Sequence, residues 1–431
     1  MNIVMVTNTY TPHVGGVARS VAAFSAEYRR CGHRVLIVAP EFADMPEDEV
    51  DVVRIPAIQN FNGSDFSVVL PVTGLLTESL DAFQPGIVHA HHPYLLGMTA
   101  LRIARYRELP LVFTHHTLYE QYTHYVPGDS PTLRRFVIEL ATHYANLTDQ
   151  VFAPSESIAS LIKERGVRAP IAVIPTGVDV ERFARGDGSS FRSKMSIPEK
   201  AFVVGHVGRL APEKNLGFLS EALAVFLKAD SRAHILIAGQ GPSEQEIRDI
   251  LSRHGLSGRL HITGVLDPSQ LADAYHAMDV FAFASKSETQ GMVLTEAMAA
   301  AVPVVGLDAS GVREVVKDGC NGRLLHEEAP DAFASALQWL ADLPPAKMEA
   351  LKQGALETAE AFSMQQTAAK AITCYTALRE QVFVERPEEF DQWQRTLHLI
   401  EAEWDIVKGI AESAGAAIFP SKLNEPIQLK N

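Results

Sequence analysis

Short apolar runs rich in Val and Ile alternate with helix-length segments along most of this chain, and the alternation stops once and starts again. Strand candidates at 2–7, 34–39, 51–55, 86–90, 110–115, 149–153 and 170–174 enclose helical patterns at 15–31, 93–106, 131–146 and 155–166. The strands are apolar throughout, as expected of strands covered on both faces by helices. Such a rhythm predicts a parallel, doubly wound α/β sheet. A turn-rich stretch around 175–198, with Arg185-Gly-Asp-Gly-Ser-Ser, interrupts it. It resumes with strands at 201–207, 233–238, 259–263, 279–283, 302–306 and 322–325, between helices at 214–228, 242–255, 268–277 and 291–301. The chain therefore reads as two Rossmann-like halves of similar size.

Beyond 329 the pattern is helical, over 329–342, 346–361, 364–380 and about 388–413. In the last segment Phe390, Trp393, Leu397, Ile400, Trp404 and Val407 recur at three- and four-residue spacing. This amphipathic stripe is expected to pack on the protein itself or on a second subunit, giving a homo-oligomer through 388–413.

Several classes of function are excluded early. At 431 residues the chain is too long for one compact domain. Its net charge of -14 argues against nucleic acid as a partner, since polyanion binding needs a basic face. Segment counts leave no such face hidden: Lys+Arg against Asp+Glu is 15 to 19 over 1–185, 18 to 23 over 186–379 and 5 to 10 over 380–431. An anionic ligand would have to be held by a few placed cations. Cys31, Cys320 and Cys374 are scattered, which fits a reducing compartment, and a cytoplasmic protein is expected. The N-terminus reads as a first strand and not as a signal peptide. No run of 18 apolar residues occurs, so no membrane-spanning helix is expected.

The most informative segment is 285–306. A strand runs into a polar loop with Glu288 and Gly291, then into an Ala- and Met-rich helix carrying Glu296. Glu288 lies beyond a strand's carboxyl end, where doubly wound sheets bind ligands. Gly291 allows close backbone approach, and the helix start offers N–H groups to a phosphate. A carboxylate there suits sugar hydroxyls. Upstream, Gly208-Arg-Leu-Ala-Pro-Glu-Lys-Asn-Leu follows another strand, and Arg209 and Lys214 bracket its turn as candidate diphosphate ligands.

Gly-Arg-x-x-x-x-Lys-x-Leu upstream of Glu-x7-Glu, inside two Rossmann-like halves, resembles the retaining glycosyltransferases of family 4. The resemblance covers about residues 1–380. It implies the GT-B fold, two doubly wound parallel-sheet domains facing a cleft with a helical C-terminal extension. On that pattern the N-terminal domain spans 1–180, rejoined by helices over about 364–431. The C-terminal donor domain spans 198–363, and 181–197 links them. The resemblance further implies that Arg209 and Lys214 hold a nucleotide diphosphate, Glu296 the ribose and Glu288 the donor sugar. Thr9-Tyr-Thr-Pro-His-Val-Gly-Gly resembles the family's N-terminal glycine loop, so Gly15 and Gly16 would face the diphosphate. It is not the GxGxxG of a dinucleotide site.

Two histidine clusters, Val88-His-Ala-His-His and Thr114-His-His-Thr, each follow an apolar strand. Zinc is not expected, because consecutive side chains in extended backbone point to opposite sides. The resemblance assigns the donor-sugar role to His116, with His115 as the alternative. His116-Thr-Leu-Tyr-Glu-Gln-Tyr is most similar to members that glycosylate diacylglycerol-type lipids, with Tyr119, Glu120, Tyr122 and Tyr125 as candidate acceptor residues. Such relatives carry a basic amphipathic helix for membranes, whereas the equivalent Asp65–Asp81 stretch here is apolar and acidic. The expected partners are thus a UDP- or GDP-hexose donor and a lipid or sugar acceptor, with peripheral contact at the inner membrane face. With no Asp-x-Asp motif, no metal or other cofactor is expected. A nucleotide-sugar epimerase and a non-catalytic nucleotide-sugar-binding protein stand as alternatives.

Overall fold

The computed structural model describes residues 1–13, 15–58, 68–69, 74–121, 130–286, 288–384 and 392–418. The chain forms two compact units, Met1–Pro175 with the chain from Thr367 onward, and Thr176–Gln366.

The first unit opens with β1 (Asn2–Val6), α1 (Gly16–Arg30), β2 (Arg34–Pro40), β3 (Val52–Ile55), β4 (Ala57–Ile58) and β5 (Val68–Val69). There follow α2 (Gly74–Phe83), β6 (Ile87–Ala90), α3 (Leu96–Arg107), β7 (Leu111–Thr114), α4 (Pro131–Asn146), β8 (Gln150–Ala153), α5 (Glu156–Glu164) and β9 (Ile171–Val173). Its seven-stranded sheet has the order β3-β2-β1-β6-β7-β8-β9 and is parallel throughout. Every strand expected in this half forms. The antiparallel pair β4–β5 and helix α2 are additions. No helix is expected from the sequence of this apolar and acidic stretch, yet Leu76, Leu80 and Phe83 bury one helical face. Local chemistry sets the helix ends. Ser130 caps α4 by accepting from Leu133 N–H at 3.2 Å, with Pro131 in the first turn. Ser155 caps α5 in the same way.

The second unit contains α6 (Val180–Phe183), α7 (Gly188–Lys194), β10 (Phe202–Val207), α8 (Leu216–Ala229), β11 (Ala233–Ala238) and α9 (Glu244–Arg253). It continues through β12 (Leu260–Ile262), α10 (Pro268–His276), β13 (Val280–Phe283), α11 (Met292–Ala299), β14 (Val304–Leu307), β15 (Gly322–Leu325), α12 (Pro330–Ala341) and α13 (Pro345–Ala361). The six-stranded parallel sheet has the order β12-β11-β10-β13-β14-β15. The stretch read as a linker folds into α6 and α7, whose Phe183 and Phe191 are buried in this unit's core. Gly186 and Gly188 let it lie against α10, where a Cβ would meet Ala272 and His276 backbone atoms at 2.8 and 2.1 Å. The sequence there signals turns, but its two phenylalanines anchor it.

α14 (Met364–Val384) and α15 (Gln392–Ile418) follow. Ala368, Ala371 and Tyr375 of α14 are fully buried at helical spacing, and Ala402 of α15 joins the first unit's core. Phe390, the first residue of the expected stripe, lies outside the described residues.

Candidate functional site

Strand order reverses once in each sheet, between β1 and β6 in the first and between β10 and β13 in the second. Loops leaving the carboxyl ends of such a strand pair part to opposite faces and leave a crevice for ligands. The sequence-derived candidates fall mainly on the loops after these four strands.

In the second unit, the loop after β10 is stitched to the loop after β13. Lys214 Nζ pairs with Glu288 Oε1. Ser285 Oγ donates to Glu213 O at 3.3 Å, and Asn215 Nδ2 donates to Ala284 O at 3.4 Å. Arg209 is half exposed and pairs with Glu213, which keeps its guanidinium beside Lys214's turn. Gly291 has φ 72° and ψ 53° at the start of α11, the left-handed region where a side chain is strained, and no side chain caps this helix. Leu294 N–H donates back to Gly291 O at 2.9 Å, and the N–H groups of Met292 and Val293, which have no intrahelical acceptor, are left for an anion. Glu296 lies within α11, 4% exposed, and accepts from the Tyr275 hydroxyl at 2.8 Å. The structure thus brings Lys214 and Glu288 into contact and sets Glu296 inside the adjoining helix.

Two features of this unit escaped the sequence reading. His206 on β10 is 1% exposed between Phe281 and Phe283, and its Nδ1 is 3.1 Å from Ala282 O. Its Nε2 is buried without a hydrogen-bond partner among the described residues. Burial, aided by the charge of Lys214, lowers its pKa to about 4, so the ring is neutral at pH 7. A histidine inside an apolar strand carries no spacing signal that would single it out. The second feature is Gly239-Gln-Gly, which as a dinucleotide motif lacks the third glycine. A Cβ on Gly239 would lie 1.9 Å from Gly208 O, and one on Gly241 would lie 2.3 Å from Leu210 O. These glycines let the 239–241 turn support the Arg209 loop, with Leu210 N–H donating to Gln240 O at 2.9 Å.

In the first unit, Asn8 links the two loops at the reversal. Its backbone N–H donates to His92 Nδ1 at 3.1 Å and its Nδ2 to Tyr94 O at 3.1 Å, while Oδ1 accepts from Leu96 N–H at 3.0 Å. Gly15 precedes α1 in extended conformation with no side-chain cap, and Gly16 is the first helical residue. A Cβ on Gly15 would lie 3.1 Å from His13 Nε2.

Consecutive histidines take different partners here, as extended backbone requires. His91 Nδ1 lies 2.8 Å from His116 Nε2, and the rings stack at 5.1 Å. His92 turns to Asn8, and His115 packs against Phe113 and Tyr119. His89, inside β6, is hydrogen-bonded on both nitrogens: Nε2 to Thr114 Oγ1 at 2.7 Å and Nδ1 to Tyr375 OH at 2.7 Å. Tyr375 OH meets Tyr28 OH at 3.0 Å, completing a polar chain through the core. Burial holds every histidine of the group below its ordinary pKa, with His89 and His92 at about 3 and His115 at about 4. Thr9 Oγ1, His91 Nε2, His115 Nδ1 and Tyr119 OH are buried without hydrogen-bond partners among the described residues. Orphaned polar groups cost about 1–3 kcal/mol each unless a ligand or water satisfies them, so this concentration makes the loops after β6 and β7 a candidate binding region.

Glu120 is held by Arg165 at 2.6 Å, while Tyr122 and Tyr125 lie outside the described residues. Among the basic residues nearest the apolar stretch, Arg102 pairs with Glu403, Arg107 with Asp81 at 2.6 Å, and Arg105 donates to Leu147 O at 3.4 Å. They are committed to internal partners. Among the described residues no group of three or more His, Cys, Asp or Glu side chains converges as a metal site, and no helix is long and apolar enough to cross a membrane.

Two Rossmann-like units, the second with a Lys–Glu pair and an uncapped helix start at its strand-order reversal, form the GT-B fold. Residues 14–182 match Glycosyltransferase Family 4 and residues 188–358 match Glycosyl transferases group 1. The chain belongs to this family of hexosyltransferases. It is 29% identical over 334 residues to the alpha-monoglucosyldiacylglycerol synthase of Streptococcus pneumoniae, covering 76% of each chain. It is 31% identical over 349 residues to a GDP-mannose-dependent alpha-mannosyltransferase of Mycolicibacterium smegmatis, covering 78% of this chain and 87% of that one. Among solved structures, HepE of Anabaena, crystallised with UDP, superposes with a TM-score of 0.69 at 22% identity, covering 88% of this chain and 100% of that one.

Proposed function

We propose that the chain transfers a hexose, with retention, from a UDP- or GDP-sugar to the hydroxyl of a diacylglycerol-type lipid. The observation that carries the donor half is the Lys214–Glu288 pair at the reversal between β10 and β13. Arg209 and Lys214 neutralise the diphosphate, and the first N–H groups of α11 add to the positive field. Glu288 accepts from the sugar's hydroxyls and Glu296 from the ribose. The N–H groups after Gly15, starting with Gly16, add donors from the first unit, and His116, steadied by His91, orients the hexose.

The bond from the anomeric carbon to the diphosphate breaks with its electron pair leaving on phosphate oxygen. Fixed positive groups stabilise that charge by several kcal/mol, about the scale of one to two oxyanion donors. The acceptor hydroxyl attacks from the face the diphosphate leaves, and its proton passes to a departing phosphate oxygen. Tyr119 OH and His115 Nδ1 are suited to hydrogen-bond the acceptor's polar head. Tyr94, packed on Tyr119 at 5.5 Å, offers apolar surface beside it. The lipid reading also draws on the synthase names of relatives in Streptococcus pneumoniae and Acholeplasma laidlawii. It implies work at the inner face of a membrane, reached from the cytoplasm.

The test is a panel read by mass spectrometry: UDP-glucose and GDP-mannose, each with dioleoylglycerol vesicles, with inositol phosphate, and alone. A hexosylated diacylglycerol is expected. Hexose found only on the water-soluble acceptor overturns the lipid reading. An epimerised donor formed without any acceptor overturns the transfer itself.

A further inference from the structure

One face of α15 is fully employed. Ala402 is buried, Ile406 is 7% exposed, and Glu403 is gripped by Arg102 of α3. His143 Nε2 on α4 lies 3.1 Å from Asp405 O, and a Cβ on Gly409 would fall 2.2 Å from the His143 ring. The opposite face is uncovered among the described residues: Leu397, Ile400, Trp404, Val407 and Ile410 are 39, 57, 68, 58 and 45% exposed. Scattered apolar residues on a surface are ordinary, but five in a row on one helix form a patch that marks an interface.

Their spacing says what kind. Positions 397, 400, 404 and 407, continued by Ala411 and Ala414, step three and four residues alternately, the seam of a coiled coil. Ala402 and Gly409 fall on the far side of that heptad, so the seam points away from the unit that carries it.

The geometry points to a second copy of this chain, paired antiparallel through α15. Large residues occupy the first half of the seam and alanines the second. Antiparallel pairing about a two-fold axis near 405–406 sets Trp404 against the partner's Val407, Ile400 against the partner's Ala411, and Leu397 against the partner's Ala414. Volumes then match layer by layer. Parallel pairing would set tryptophan on tryptophan and leave alanine facing alanine. Charge agrees. Glu401 and Lys408 flank the seam on one side, and antiparallel pairing brings Glu401 beside the partner's Lys408 twice by symmetry. A parallel pair would need Glu403 for Lys408, and Arg102 already holds Glu403. An anionic lipid surface is a poor occupant, because Glu401 and Glu412 border the stripe.

The experiment uses the full chain in light scattering after gel filtration, where about twice the 47.1 kDa chain mass is expected at micromolar concentration. Trp404→Asp should give a monomer with an unchanged far-ultraviolet circular dichroism spectrum. For orientation, Ile400→Cys with Ala411→Cys, in a Cys31→Ser, Cys320→Ser background, should cross-link between chains under copper phenanthroline. Ile400→Cys alone should not, since antiparallel copies of residue 400 sit eleven residues apart, about 16 Å at 1.5 Å per residue, beyond the roughly 7 Å reach of a disulfide. A wild-type monomer at every concentration overturns the proposal. So does vesicle binding by a monomeric wild type that Trp404→Asp abolishes, and efficient cross-linking of Ile400→Cys alone overturns the antiparallel order.

Discussion

Lys214 Nζ and Glu288 Oε1 form an ion pair across the strand-order reversal of the second unit, with their side chains 19% and 17% exposed. One partner belongs to the turn before α8, the other to the loop before α11. The contact holds both loops in register before a donor arrives, and a diphosphate would compete for the same ammonium.

Lys214→Ala should therefore cut kcat/KM about 10²- to 10³-fold, the cost of one well-placed charge-stabilising donor. Glu288→Gln should lose activity to a similar degree while keeping the side chain's shape. Both should retain the wild-type far-ultraviolet circular dichroism spectrum. Wild-type turnover by either variant would remove the pair from the site.

The turn that supports Arg209 gives a second prediction. Gly239 has φ 149° and its Cα faces Gly208 O. Gly239→Ala would place a methyl group 1.9 Å from that oxygen. The two loops must then separate, breaking the bond from Gly208 N–H to Ala238 O. A loss above about 1 kcal/mol is expected, because a side chain is forced where only glycine fits. Differential scanning calorimetry should show the transition lowered, and activity should fall with the displaced Arg209 loop. An unchanged transition and full activity would mean that the loops do not pack this closely.

The sequence carried the fold well because period and burial are written locally. All thirteen expected strands form, each an apolar run bounded by turn residues. The placement of Glu288, Gly291, Arg209 and Lys214 on loops after strand ends was legible because connections in parallel sheets follow strand ends in a fixed order. What stayed hidden depends on contacts distant along the chain. Tyr375 meets His89 across 286 residues, and Asn8 reaches His92 across 84. His206 looks like any strand residue until its unpartnered Nε2 is seen. Gly239 and Gly241 resemble a failed motif because their partners are backbone oxygens of another loop.

The Tyr28–Tyr375–His89 chain carries a third prediction. Tyr375→Phe keeps the ring and removes the hydroxyl that serves both Tyr28 and His89 Nδ1. Two buried polar atoms lose their partner, at about 1–3 kcal/mol for each group left unsatisfied. The thermal midpoint should drop by several degrees, at about 2–4 °C per kcal/mol for a unit of this size. Adding Tyr28→Phe should cost less than its own single effect, since its partner is already gone. Strict additivity in this double-mutant cycle would show that the hydroxyls do not interact.

The buried histidines predict how stability responds to acid. In the unfolded chain they titrate near 6.5, whereas burial holds His89 and His92 at about 3 and His115 at about 4. Between those limits the unfolded chain binds protons that the folded unit refuses, so unfolding gains free energy as pH falls. The stability is fully present above about pH 6.5 and drains away from there toward about pH 4. Each histidine contributes at most about 1.4 kcal/mol per pH unit, so these three together approach about 4. His91 and His116, also lowered by burial, act in the same direction. Urea midpoints followed by fluorescence should be constant above about pH 7 and fall steeply from about pH 6 to pH 5. A flat profile across that interval would mean that water reaches the cluster in solution, and the dry, neutral His91–His116 pair would no longer be available to orient a sugar.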